Sequence, residues 1–110
     1  MSNWKAPQFK LAFAIIAMIT VSGTPVLADS STFKSVCAEC HTGGIKGFVS
    51  GAPNVNKPAS WQKFLDRNSD ERMREVVLRG TKDHKPKGDC ATCSDQQVLD
   101  AIDYIMTRVK

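Results

Sequence analysis

Cys37-Ala38-Glu39-Cys40-His41 gathers two thiols and an imidazole within five residues. Two cysteines one helical turn apart, followed at once by histidine, form the attachment motif of a c-type haem. The spacing has a physical reason. Each thiol can make a thioether to one of the two haem vinyl groups, and the adjacent imidazole then projects over the porphyrin face towards the iron. The motif therefore predicts one covalently attached haem c, held by Cys37 and Cys40, with His41 as the proximal iron ligand. A second pair, Cys90 and Cys93, is followed by Ser94 instead of histidine, so a second haem is not expected.

Other chemistries compete for these cysteines. A four-cysteine zinc site would join two pairs separated by 49 residues, against about 12–20 in common zinc motifs. It would also leave His41 without a role. A thioredoxin-like redox pair needs a βαβ setting, and no stretch alternates like a strand. Two plain disulfides would make a stapled, non-haem binding module. Cys90 and Cys93 alone fit either a redox-active dithiol or a structural clip with a short loop.

The elements that must position this chemistry begin after an N-terminal segment of different character. Residues 1–28 carry Lys5, Lys10 and no acidic residue, and Leu11–Val21 is apolar except for Thr20. A positive start, an apolar run of this length and the small-residue Val26-Leu27-Ala28 read as a cleavable signal peptide. A spanning helix needs roughly 20 apolar residues, so no stable membrane anchor is expected after cleavage. The mature domain would be 29–110, exported or periplasmic, in an oxidising space where disulfides persist. The formal charge of +4 falls to +2 there, with 13 Lys and Arg against 11 Asp and Glu. That balance argues against a nucleic-acid partner.

The mature chain reads as all-α, with about four short helices. Ser31 can cap a first helix carrying Phe33, Val36, Cys37 and Cys40 on one face. Thr42–Pro58, rich in glycine and proline, is expected to be a loop. A short helix over Ser60–Arg67 would bury Trp61, Phe64 and Leu65. Asn68 and Glu71 resemble a capping box that opens a helix ending at Gly80. Thr81–Cys93 is a second loop. Ser94 and Gln97 start a last helix with Val98, Leu99, Ile102, Ile105, Met106 and Val109 on one face. Four such helices hide little apolar area from one another, against an ordering entropy of about 1.5 kcal/mol per residue. A haem would supply the missing core.

From about residue 31 to 107 the chain resembles a small class I bacterial cytochrome c of the cytochrome c5-like group. The shared pieces are Cys37-Ala38-Glu39-Cys40-His41, Gly51-Ala52-Pro53, Trp61 and the run from Pro86 to Asp95 with its Cys-x-x-Cys-Ser-Asp. The resemblance implies an all-α haem fold, electron transfer as the activity and a Cys90–Cys93 disulfide. It also implies that the Pro53 carbonyl accepts a hydrogen bond from His41, which would orient the ligand. Trp61, Phe33, Phe48 and Leu99 are candidates for the haem-pocket wall or for ordinary core.

The departure from that group is the sixth ligand. His84 stands where the distal methionine is usual, and Lys85 replaces the proline after it. Met73 and Met106 fall on apolar helix faces, where methionine fills gaps. His84 is thus the expected distal ligand, with Lys82, Lys85, Met73 or an open position as alternatives. Two imidazoles lower the potential relative to a methionine partner. A closed iron favours outer-sphere transfer of single electrons between redox proteins, by transient docking. Such a carrier is not itself an enzyme, although it can serve one as donor or subunit. Lys46, Lys57, Lys63, Lys82, Lys85 and Lys87 could steer an acidic partner or be solvated loop residues. A gas-binding haem domain with a displaceable sixth ligand is the alternative within haem chemistry.

Overall fold

The computed structural model describes Asn3 and residues 30–110, and all but Asn3 of the expected signal segment lies outside the described residues. Within them the fold is all-α, with no named strand and five α-helices. None of their helices is long and apolar enough to cross a membrane.

The first helix starts one residue earlier than its expected cap. The Ser30 carbonyl accepts from the Lys34 amide, which leaves Ser31 inside the helix. Phe33–Cys37 is wound as a π-helix and runs on as α1, Ala38–His41. A π-helical turn is rare, and such turns are frequent at functional sites.

The expected loop after α1 contains a second helix, α2, Gly44–Ser50. Glycine is a poor helix former, but Gly47 is needed here. A Cβ on Gly47 would lie 2.7 Å from the Cys40 carbonyl oxygen. The missing side chain lets α2 press directly on the backbone of the Cys-x-x-Cys-His turn.

A 3-10 turn, Pro58–Trp61, leads into α3, Gln62–Arg67, and α4 spans Asp70–Arg79. The cap of α4 is Ser69, whose hydroxyl accepts from the Arg72 amide. Asn68 closes α3 instead, donating from Nδ2 to the Phe64 carbonyl at 2.9 Å. The capping-box reading was therefore displaced by one residue, since adjacent Asn and Ser are both good caps. A second 3-10 turn, Pro86–Asp89, precedes α5, Asp95–Val109. Ser94 and Gln97 form a complete capping box there.

α5 supplies most of the core. Val98, Ala101, Ile102, Ile105 and Val109 are buried along one stripe, with Phe33, Val55 and Trp61 from elsewhere. Phe33 lies on Tyr104 with ring centroids 4.9 Å apart, and Met106 packs against the cluster. Leu99 is only half-buried. No residue of α4 is buried. Each large apolar side chain contributes about 1.5–3 kcal/mol when fully buried, so the eight buried hydrophobes among the described residues make a thin core. Cys37 and Ala38 of the motif pack against it.

Candidate haem-binding site

His41 ends α1 and is held from two directions. Its Nδ1 lies 2.9 Å from the Pro53 carbonyl oxygen. A carbonyl only accepts, so Nδ1 must carry the proton, which leaves the Nε2 lone pair free. Trp61 stacks on the ring, with centroids 5.1 Å apart and planes 28° from parallel. Burial pushes the His41 pKa down, the Pro53 bond opposes this, and the nearby His84 lowers it further. The balance of these effects favours a neutral imidazole.

The strap that carries Pro53 is itself tied down. The Val55 amide donates to the His41 carbonyl at 2.8 Å, and the Ala52 amide donates to the Gly47 carbonyl at 3.2 Å. The Asn54 amide donates to the Ser60 hydroxyl at 2.9 Å. The strap thus joins α1, α2 and the Pro58–Trp61 turn around one side of the His41 ring.

His84 comes from the loop between α4 and α5. The amides and carbonyls of Thr81 and His84 pair reciprocally, at 2.8 and 3.3 Å. Its Nδ1 lies 2.8 Å from the Lys85 carbonyl oxygen. By the same reasoning, the His84 Nδ1 donates to that carbonyl. Its ring centroid is 6.4 Å from that of His41, with planes 25° apart. Two imidazoles each bonded at about 2 Å to one shared metal would have centroids about 6.3 Å apart. The fold therefore brings two imidazole rings, 43 positions apart in the chain, to a centroid separation close to that value.

Cys37 and Cys40 are unpaired and half-buried. Burial pushes the Cys37 thiol up, and Cys40 adds to the shift. Cys90 and Cys93 are joined by a disulfide, so the four-cysteine zinc arrangement is excluded. Among the described residues no three His, Cys, Asp or Glu side chains converge on a metal position. Two imidazoles therefore need a cofactor that brings its own donors, which a porphyrin does with four nitrogens. Trp61 supplies a further mark. Its Nε1 is buried without an acceptor, at a cost of about 1–3 kcal/mol. The carboxylates of a haem are acceptors of the kind it lacks. The residues present fit the group.

Some expectations are redrawn by the geometry. Of the wall candidates, Phe33 and Trp61 are buried, whereas Phe48 is 88% exposed on α2. Of the six lysines, Lys46 is paired with Glu39, Lys85 with Asp89 and Lys87 with Asp95. Half of the expected steering charge is balanced locally. The Lys85 carbonyl as orienter of His84 was not legible beforehand, because a backbone atom has no sequence signal.

The donor set and its helical shell are those of a covalent haem protein. Residues 27–105 match the family model described as cytochrome C oxidase, cbb3-type, subunit III. A cytochrome c5 of Ectopseudomonas mendocina is 33% identical over 67 residues, which is 60% of this chain and 72% of that protein. No solved structure matches the chain. The chain belongs to the class I c-type cytochromes, in their cytochrome c5-like group, and its cofactor is a covalently attached haem c.

Proposed function

We propose that the protein is an exported, monohaem electron carrier whose iron is ligated by two histidines. Cys37 and Cys40 hold the haem as thioethers, His41 is the proximal ligand and His84 the distal one. The observation that carries this reading is the 6.4 Å spacing of the two rings, each with Nδ1 on a carbonyl oxygen.

When bound, the haem supplies one-electron chemistry by alternating between ferric and ferrous iron. The chain's own residues do the rest. The carbonyls of Pro53 and Lys85 accept from the two Nδ1 atoms and so orient both rings. Trp61 keeps the plane of the His41 ring. Were His41 and His84 both to hold the iron, no site would remain open to a substrate, and electrons would pass by outer-sphere transfer to redox proteins in short encounters. A second imidazole stabilises ferrous iron less than a thioether does, which gives a lower potential than a methionine-ligated relative has. The segment 1–28 acts as the export signal and is cleaved after Ala28.

Absorption and magnetic resonance spectra of the purified protein, oxidised and reduced, test this reading. Low-spin spectra of bis-histidine type are expected, with haem that stays on the chain after acid-acetone extraction. Carbon monoxide added to the reduced protein should produce only a slow, partial change. A rapid and complete change would replace the carrier with a gas-binding domain. N-terminal sequencing of exported protein should begin at Asp29.

A further inference from the structure

α2 is inverted relative to an ordinary surface helix. Ile45, Phe48 and Val49 recur at i, i+3 and i+4 and so share one face. They are 83, 88 and 77% exposed, and they are the only exposed large hydrophobes among the described residues. The opposite face is the glycine face, where Gly47 admits the Cys40 carbonyl. Packing therefore accounts for the glycine and leaves the three hydrophobes without a partner. Together they present on the order of 500 Å², as large as the largest patch on most monomers, and patches of that rank are often functional.

Size and charge narrow the occupant. A stable dimer buries about 800 Å² per partner, whereas redox encounters lie at the small end of the range. The single charge of α2, Lys46, is paired with Glu39 of α1. An acidic partner would find its countercharge already taken. The helix that carries the patch rests its other face on the haem-attachment turn, through the Gly47–Cys40 contact.

We propose that Ile45, Phe48 and Val49 form the docking face for a redox protein that presents an apolar, uncharged surface. The proposal rests on the electron-carrier reading above and specifies where and by what chemistry the partner is met. Association through such a face depends little on salt, since exposed charges contribute little to it.

The test uses the holo-protein on gold electrodes carrying methyl-terminated or carboxylate-terminated alkanethiol monolayers, as stand-ins for apolar and acidic faces. Electroactive coverage should be higher on the methyl surface and nearly independent of salt. Phe48→Ser should reduce it on the order of tenfold, and Ile45→Ser and Val49→Ser by smaller factors. All three variants should keep the haem spectrum and the solution midpoint potential of the parent. Equal coverage by parent and variants on the methyl surface overturns the proposal, as does a salt-sensitive preference for carboxylate. A dimer at micromolar concentration that Phe48→Ser dissociates gives the face to a second copy and overturns it too. Co-sedimentation of the parent with phosphatidylcholine vesicles gives it to a membrane, with the same consequence. A changed haem spectrum in the variants would make the patch part of the haem bed and likewise overturns it. Absence of covalent haem refutes the carrier reading, and the docking proposal with it, from the spectrum alone.

Discussion

His41 and His84 face each other at 6.4 Å, yet they are held by different kinds of structure. His41 closes a helix, stacks on a buried tryptophan and bonds to a strap tied into three elements. His84 sits in a turn that pairs with itself and is oriented by the carbonyl of its own neighbour. Around it the loop is forced into unusual backbone. Gly80 has φ 77°, and Lys87, Gly88 and Asp89 follow one another at φ 54°, 61° and 70°. The disulfide then pins the loop just before α5. His41 is thus fixed by packing, and His84 by short-range backbone bonds and a covalent clip. A side chain on such a loop can be exchanged without rebuilding the core.

That contrast can be broken most directly at the distal ligand. His84→Met should keep the haem attached and raise the midpoint potential on the order of 100 mV. Potentiometry with near-infrared spectra checks both. An unchanged potential and spectrum would remove His84 from the iron.

The next effect concerns the loop's entry. A Cβ at Gly80 would lie 2.6 Å from Pro86 Cγ and 2.9 Å from its nitrogen, in backbone that side chains rarely adopt. Gly80→Ala should cost on the order of 2–4 kcal/mol in urea unfolding. It should also disturb the His84 signature while leaving that of His41, if the two sides are built independently.

Removing the clip should do less. The Cys90–Cys93 ring is short, and chain entropy assigns it about 2 kcal/mol. Cys90→Ser with Cys93→Ser should lower stability by that order, as measured by urea midpoints, and should speed replacement of His84 by added imidazole.

The smallest effect lies at the start of α5. A hydrogen bond from Lys87, and then its charge, hold the Asp95 carboxyl below its usual range. The stability this contributes is present above the unfolded carboxyl value, about 3.9. It is lost as pH falls through the lower folded value. Asp95→Asn should therefore lower stability slightly at neutral pH, and its stability should fall less than the parent's as pH drops below about 4. Circular dichroism during acid titration checks this.

Much of this was legible in advance, and the reasons are local. The five-residue motif, the Ser94–Gln97 box and the α5 stripe each act through neighbours within one or two turns, so spacing alone reveals them. α2 was missed because glycines at 43, 44, 47 and 51 read as a loop, whereas Gly47 serves a contact with the backbone of another helix. The α4 cap was misread by one residue because Asn68 and Ser69 have nearly equal capping tendencies. The pairing of Lys46, Lys85 and Lys87 was not legible because a sequence does not show which carboxylates lie beside which lysines.

By itself, the sequence determined the chemistry offered: two thiols and an imidazole in a haem-binding spacing, one further histidine, and helices too short to make a core without a cofactor. Those facts follow from residue type and short-range geometry. Only the tertiary structure decided that the His84 ring lies 6.4 Å from that of His41, and that Trp61 carries a buried donor without an acceptor. It alone turned three hydrophobes of an expected loop into one exposed face. Each of these depends on contacts between parts of the chain far apart in sequence, and no local pattern encodes them.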